Sequence, residues 1–210
     1  MENLRRLHRG SSQMKMKALL TLMILCLRTE QAFPQHMLEA RGADTKYRYF
    51  DWNYTFSNSA IVDMFYVGVP GSNEFNLGGG YGFKISPSLT VAPLLYAVLA
   101  REGDQKGVKI ALLVAWAKHG WKANSFLAHF APLAGGVAQY QVLDTLDFSR
   151  TLKGRWEAGM SAGFFHADGK WNPQVGPLLK INDRLGAWAL SYRFGPQREF
   201  RFGRVLILKK

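Results

Sequence analysis

Asn73-Glu74-Phe75-Asn76-Leu77-Gly78-Gly79-Gly80-Tyr81-Gly82-Phe83-Lys84-Ile85 alternates along its length, with large apolar residues on odd positions and polar residues or glycine on even ones. A period of two is that of a β-strand with two chemically different faces. In a soluble sheet the apolar face meets a core. A series of such strands in an exported chain points to the inverted arrangement, in which the apolar face meets lipid and the small, polar face looks inward. On that inward face Gly78, Gly80 and Gly82 relieve crowding and let a closing sheet curve. A phosphate-binding reading of the glycines fails, because such loops open a helix and nothing helical follows here.

Outward from this stretch, strand-like blocks recur at roughly 46–56, 60–69, 73–85, 89–101, 107–118, 121–132, 137–149, 155–166, 171–181, 184–194 and 198–208. Turn chemistry divides them, as in Pro70-Gly71-Ser72, Ser86-Pro87-Ser88, His119-Gly120, Lys153-Gly154 and Asp168-Gly169-Lys170. Most blocks are longer than the five or six residues usual in globular strands, and they suit the roughly 9–11 that a tilted strand needs to cross a bilayer. The lipid face is assigned to Phe75, Leu77, Tyr81, Phe83 and Ile85, then Val108, Ile110, Leu112, Val114 and Trp116, then Val175, Pro177, Leu179 and Ile181. Aromatic residues gather toward block ends, among them Trp52, Tyr54, Trp121, Trp171, Phe200 and Phe202, where they suit the two bilayer interfaces. The blocks 89–100 and 108–117 are apolar on both faces, so part of the interior is apolar, either packed against inward side chains or forming a greasy conduit. In the block 137–149, Asp144, Asp147 and Arg150 spoil the alternation. The expected fold is all-β: a closed antiparallel transmembrane barrel over residues 46–210, preceded by an irregular segment at 33–45. Even strand numbers prevail in such barrels, so about eleven blocks mean ten or twelve strands with one assignment wrong.

Residues 1–32 read as an export signal: Lys15 and Lys17 precede the apolar run from Ala18 to Leu27, and a polar end leads to Ala32. That run is too short for a membrane-spanning helix, which needs about 20 residues. Translation starting at Met14 or Met16 would leave the usual short basic head. The single cysteine, Cys26, lies within the signal, which leaves the exported chain without disulfides. The formal charge is +12; residues 1–32 hold six basic and two acidic side chains, so removing that +4 leaves +8. The basic residues are scattered over strand ends and turns, with no run beyond Lys209-Lys210, which argues against nucleic acid as a partner.

The last block, from Phe200 to Leu208, is placed to close the barrel. Its order of Arg201, Gly203, Leu206 and Leu208 resembles the C-terminal signal by which bacterial outer-membrane β-barrel proteins are recognised and folded. The usual terminal aromatic is replaced by Leu208, and Lys209-Lys210 follow. With the alternation and the export signal, the chain resembles a small bacterial outer-membrane β-barrel protein. That resemblance implies residence in the outer membrane, termini and short turns on the periplasmic side, contact with outer-membrane lipid, and the barrel-assembly machinery as a partner during biogenesis.

The expected lumen-facing side chains are Glu74, Asn76, Lys84, Lys109, Arg155, Glu157, Lys180 and Arg201, among which positive charge predominates and a mild anion preference follows. Candidate nucleophile and base pairs are weak. Ser125 and His129 share a face but stand roughly 13 Å apart along a strand, and Ser161 and His166 share none. No residues have metal-ligand spacing, and Asp144 with Asp147 reads as a solvated strand end. The functional expectation is a structural or passive small-solute permeation role without a cofactor. Two rivals stay open: a barrel-embedded lipid-modifying enzyme, and a soluble exported barrel that binds an apolar ligand.

Overall fold

The structure, a computed structural model, describes residues 35–100, 106–133 and 138–209. The export signal at 1–32 lies outside the described residues. The strands are β1 (Gln35–Ala43), β2 (Arg48–Thr55), β3 (Ala60–Val69), β4 (Ser72–Tyr81), β5 (Phe83–Ser86), β6 (Leu89–Ala100), β7 (Lys106–Lys118), β8 (Trp121–Pro132), β9 (Tyr140–Thr151), β10 (Trp156–Ala167), β11 (Lys170–Asn182), β12 (Gly186–Arg193) and β13 (Glu199–Lys209). Sequence neighbours pair antiparallel except β4 and β5, which both pair with β6, and β13 pairs with β1. β4 and β5 share one place in the wall, broken at Gly82, so the barrel is closed with 12 strands. Two-residue reversals at His119-Gly120 and Asp168-Gly169 have positive φ at both positions, the mirror-image turn whose twist matches flanking strands.

Ten of the eleven sequence blocks need only small changes at their ends; the main correction is at the N-terminus. The segment 33–45, expected to be irregular, contains β1, which completes the even number. Its alternation is hidden because Glu39 and Arg41 point inward while Ala40 and Gly42, facing out, are too small to mark a lipid face. The second correction concerns the spoiled block. At Asp144 a β-bulge shifts the register: Phe126 opposes Thr145 and Leu127 opposes Leu143 on one side, and Ala162 opposes Leu146 and Phe164 opposes Leu143 on the other. Before the bulge Tyr140 and Val142 face the lumen; after it Asp147 and Ser149 do. The broken period is therefore a change of phase within one strand.

The exterior is apolar, with Leu77, Leu95, Leu99, Ile110 and Met160 among the large side chains left uncovered by protein. Inside, one half is filled. Phe65, Leu94, Tyr96, Ala92, Ala111 and Ala128 pack into a core from β3, β6, β7 and β8, joined by Leu113 and Phe126. The doubly apolar blocks thus pack rather than form a greasy conduit. Phe65 meets Tyr96 edge-on at 5.0 Å and Phe126 at 5.8 Å, contacts that each contribute about 0.5–1.5 kcal/mol beyond area burial.

The glycines of the opening stretch divide by role. Gly78 lies between Asp63 and Tyr96 in the pairing register, and with no side chain there the Tyr96 hydroxyl donates across it to Asp63 at 2.6 Å. A Cβ on Gly78 would stand 2.0 Å from the Leu95 carbonyl oxygen, and one on Gly80 would stand 2.0 Å from that of Pro93. Gly82 is not crowded, since its Cβ would meet nothing closer than 3.7 Å. Gly78→Ala is expected to destabilise the barrel by at least about 1–3 kcal/mol through overpacking at the β4–β6 closure, and Gly82→Ala to be tolerated. Heat-modifiable migration in SDS gels and thermal unfolding check the contrast; equal behaviour of the two variants would refute it.

Candidate functional site

Turns at 56–59, 87–88, 119–120, 152–155 and 183–185 lie at the barrel end that holds the start of β1 and the end of β13. The opposite end, with 44–47, 70–71, 168–169 and 194–198, opens into a vestibule of about 500 Å³. Tyr47, Tyr49, Phe65, Phe126 and Tyr140 line one wall; Asp144, Arg193, Glu199 and Arg201 line the other.

Asp144 is the hub of the vestibule floor. Its carboxylate accepts hydrogen bonds from Arg41, from Arg201 at 3.1 Å and from the Tyr47 hydroxyl at 3.1 Å. Its backbone carbonyl accepts from Arg193 Nη1 at 3.0 Å. Glu39 takes the Nε of Arg41 at 2.7 Å, and Glu199 takes the Nε of Arg201. Both guanidinium groups also lie over rings: Arg41 is 4.1 Å from the Tyr49 centroid and Arg201 is 4.4 Å from that of Tyr47. Three carboxylates thus face three guanidinium groups at one level. Gly163 makes the bulge and Arg193 compatible, because a Cβ there would fall 2.7 Å from the Leu143 carbonyl oxygen and 2.9 Å from Arg193 Nη1.

Further ion pairs occupy other heights. Beside the hub, Lys109 donates to Glu74 at 2.7 Å, and Tyr140 donates to the other oxygen of the same carboxylate. Deeper, Lys180 meets Asp147 at 2.7 Å, and Ser161 donates to Asp147 while accepting from Arg193. Toward the turn end Glu157 collects Lys122, Ser149 and Asn182. Water reaches the two halves of the interior unequally. Ala92, Leu94, Ala111 and Ala128 are fully enclosed, whereas the side chains of Arg41, Asp144, Arg201, Asp147 and Lys180 keep 12–14% of their surface open. The polar side of the interior is therefore eccentric, on β9 to β13 and β1, with the Asp144 hub at the vestibule floor.

Of the residues assigned to the lumen from the sequence, the structure brings Glu74, Asn76, Lys109, Glu157, Lys180 and Arg201 inside. Lys84 is exposed on β5 near the turn end. Arg155 belongs in the β9–β10 turn, outside the lumen, because its block begins one residue later at Trp156. Asp144 and Asp147, expected at a solvated strand end, are lumenal and paired, because the bulge turns both inward. The excess of positive charge also disappears. Glu39 and Glu199 join the interior from strand faces that the sequence did not assign, as do Asp51 and Asp63, which face one another as a carboxyl pair rather than as two separate charges. Sequence reasoning missed Arg41 and Arg193 as well; their signal was an isolated arginine inside a strand-length segment.

Among the described residues, neither candidate nucleophile and base pair is assembled in the lumen. Ser125 and His129 lie on the outer face, Ser125 between Val114 and Leu146, and His129 between Ile110 and Gln141. His166 stacks on Trp171 at 4.2 Å. In the last strand Leu206 and Leu208 face outward while Arg201 and Gly203 face the lumen. At the turn end, Arg204 donates to Asp183 at 3.0 Å and the Leu185 amide donates at 2.9 Å; these bonds hold the Asp183 carboxyl below the usual carboxylate range.

No protein-family profile matches the chain, and no curated protein matches its sequence. Solved structures do resemble it. The KdgM porin aligns with a TM-score of 0.61 at 11% identity, over 84% of this chain and 99% of that one. The same porin in complex with disordered oligogalacturonate gives 0.62 at 10% identity, over 84% and 99%. The NanC porin in a rhombohedral crystal form gives 0.53 at 11%, over 83% and 99%. Likeness at this identity is likeness of fold, and the fold is that of the bacterial outer-membrane β-barrels: a closed antiparallel barrel of 12 strands.

The pair of Lys109 and Glu74 yields a stability prediction, since their side chains are only 3% and 11% exposed. Lys109→Met is expected to cost roughly 3–5 kcal/mol by stranding the Glu74 charge. The double variant Lys109→Met/Glu74→Leu should recover most of that loss. Urea unfolding followed by tryptophan fluorescence measures both, and an equal loss in both variants would refute the coupling.

Proposed function

We propose that the protein is an integral outer-membrane barrel that lets small polar solutes pass passively along its eccentric lumen. The single observation that carries this is the vestibule and the ion pairs beneath it: Arg41, Asp144 and Arg201, and deeper Lys180 and Asp147, keep part of their side-chain surface open on one side of the interior. The group around Asp144, at the vestibule floor, balances Glu39, Asp144 and Glu199 against Arg41, Arg193 and Arg201. Such a ring repels ions of neither sign strongly, so the mild anion preference expected from the sequence gives way to weak selectivity. A polyanion such as the oligogalacturonate found with the KdgM porin would find no net positive charge there to hold it. Small solutes suit it better.

The apolar exterior and the aromatic residues near both barrel ends support membrane residence. Export by the segment 1–32, and folding by the assembly machinery through Arg201, Gly203, Leu206 and Leu208, complete the reading, with the termini on the periplasmic side. Planar-bilayer recording tests it. The wild type is expected to give small conductance steps with a reversal potential near zero under a salt gradient. Asp144→Ala removes the hub and leaves an excess of guanidinium groups, so conductance should rise and the reversal potential should move toward anion selectivity. Absence of channel events in both proteins would overturn the permeation role.

A further inference from the structure

The turn end carries most of its charge on one side, with Lys84 of β5 lying apart from it. The turns 56–59 and 87–88 hold no charged residue, whereas Lys118, Arg150, Lys153, Arg155, Arg184 and Arg204 form an arc across the ends of β7 to β13. Within that arc, Arg155, Asn182, Asp183, Arg184 and Leu185 line a shallow recess between the β9–β10 and β11–β12 turns. The backbone of the recess is tied down. The Asn182 amide donates to the Arg155 carbonyl at 2.8 Å, its side chain donates to the same oxygen at 3.2 Å, and Asp183 accepts from the Leu185 amide. Asp183, the one carboxylate of the recess, is engaged by Arg204. Among the described residues, Arg155 and Arg184 have no carboxylate partner.

Directly beside the recess on the outer wall, the register sets Trp156 against Ile181, Ile181 against Trp188, and Trp188 against Arg204. All four face outward, and the Arg204 guanidinium lies 4.7 Å from the Trp188 ring centroid. Trp156 and Trp188 are 43% and 41% exposed, which leaves an uncovered apolar strip ending at two unpaired cations. Tryptophan rings of this kind mark the level of the lipid headgroups. Guanidinium groups below that level are placed for phosphate, which they bind through paired N–H donors.

We infer that this recess binds an anionic phospholipid, its phosphate held by Arg155 and Arg184 and its acyl chains lying on Trp156, Ile181 and Trp188. The inference rests on the membrane residence proposed above. A neutral zwitterionic lipid offers the same phosphate but adds a choline cation, which two guanidinium groups repel. Selection therefore falls on net charge.

Native mass spectrometry of the full chain, released from mixed micelles of phosphatidylglycerol and phosphatidylcholine, measures retention of each lipid. Each basic residue at an anionic surface contributes about fivefold in affinity, so Arg155→Gln/Arg184→Gln should lower retention of phosphatidylglycerol by roughly 25-fold. Lys170→Gln, at the opposite end, should leave it unchanged. Equal retention of both lipids by the wild type, or unaltered preference in the double variant, would overturn the site. Displacement by inorganic phosphate alone, without any lipid preference, would make it a free-anion site and also overturn the proposal. Carbonate-resistant insertion and heat-modifiability are scored on the same preparations. A wild type that fails to insert removes both readings; one that inserts without lipid preference removes only this one.

Discussion

Hydrocarbon offers no hydrogen bonds, so a backbone amide or carbonyl left unpaired inside a bilayer costs several kcal/mol and a spanning sheet can have no edge. Closure is the constraint on which everything else in this barrel depends. It is met at one junction that the chain order does not make by a hairpin, β13 against β1. That junction explains why the short, weakly patterned segment 35–43 must be a strand at all. Along the hairpin of β4 and β5 with β6, the glycine run lets the wall close up, since at Gly78 and Gly80 the neighbouring backbone comes too close for a Cβ.

Closure also decides what the interior can be. A barrel of this size encloses space that side chains can partly fill, and here they fill it unevenly. Small residues such as Ala92, Ala111 and Ala128 let Phe65, Tyr96 and Phe126 pack across β3, β6 and β8, and the ionic side chains take the remaining crescent. Largely removed from bulk water, the charges around Asp144, Asp147, Glu74 and Glu157 are retained because they are paired and hydrogen-bonded. Asp144 satisfies three guanidinium groups at once, counting its backbone carbonyl, because the bulge swings both its carboxylate and its carbonyl into reach. The same local irregularity thus sets the position of the hub and its charge balance.

Much of the wall was legible in the sequence because lipid leaves a strong period-two record in strands such as β4, β7 and β11. The record fades where the outward residues are small, as at Ala40 and Gly42. It inverts where an extra residue is inserted, as at Asp144, and there the acidic side chains that spoil the pattern are the most important in the lumen. Arg155 shows the same limit at a boundary: a shift of one residue moves a side chain from the lumen to the membrane surface.

By itself the sequence determined the class of object: an all-β chain with an apolar outer face, long strands, short turns and an ending suited to closure. These follow from local alternation and turn chemistry, which a strand expresses without reference to distant residues. The tertiary structure alone decided which charges meet. Arg41 and Asp144 stand 103 positions apart, and Glu74 and Lys109 stand 35 apart. Their pairing depends on strand register, on one bulge and on the ring being closed, all of which are properties of the whole sheet.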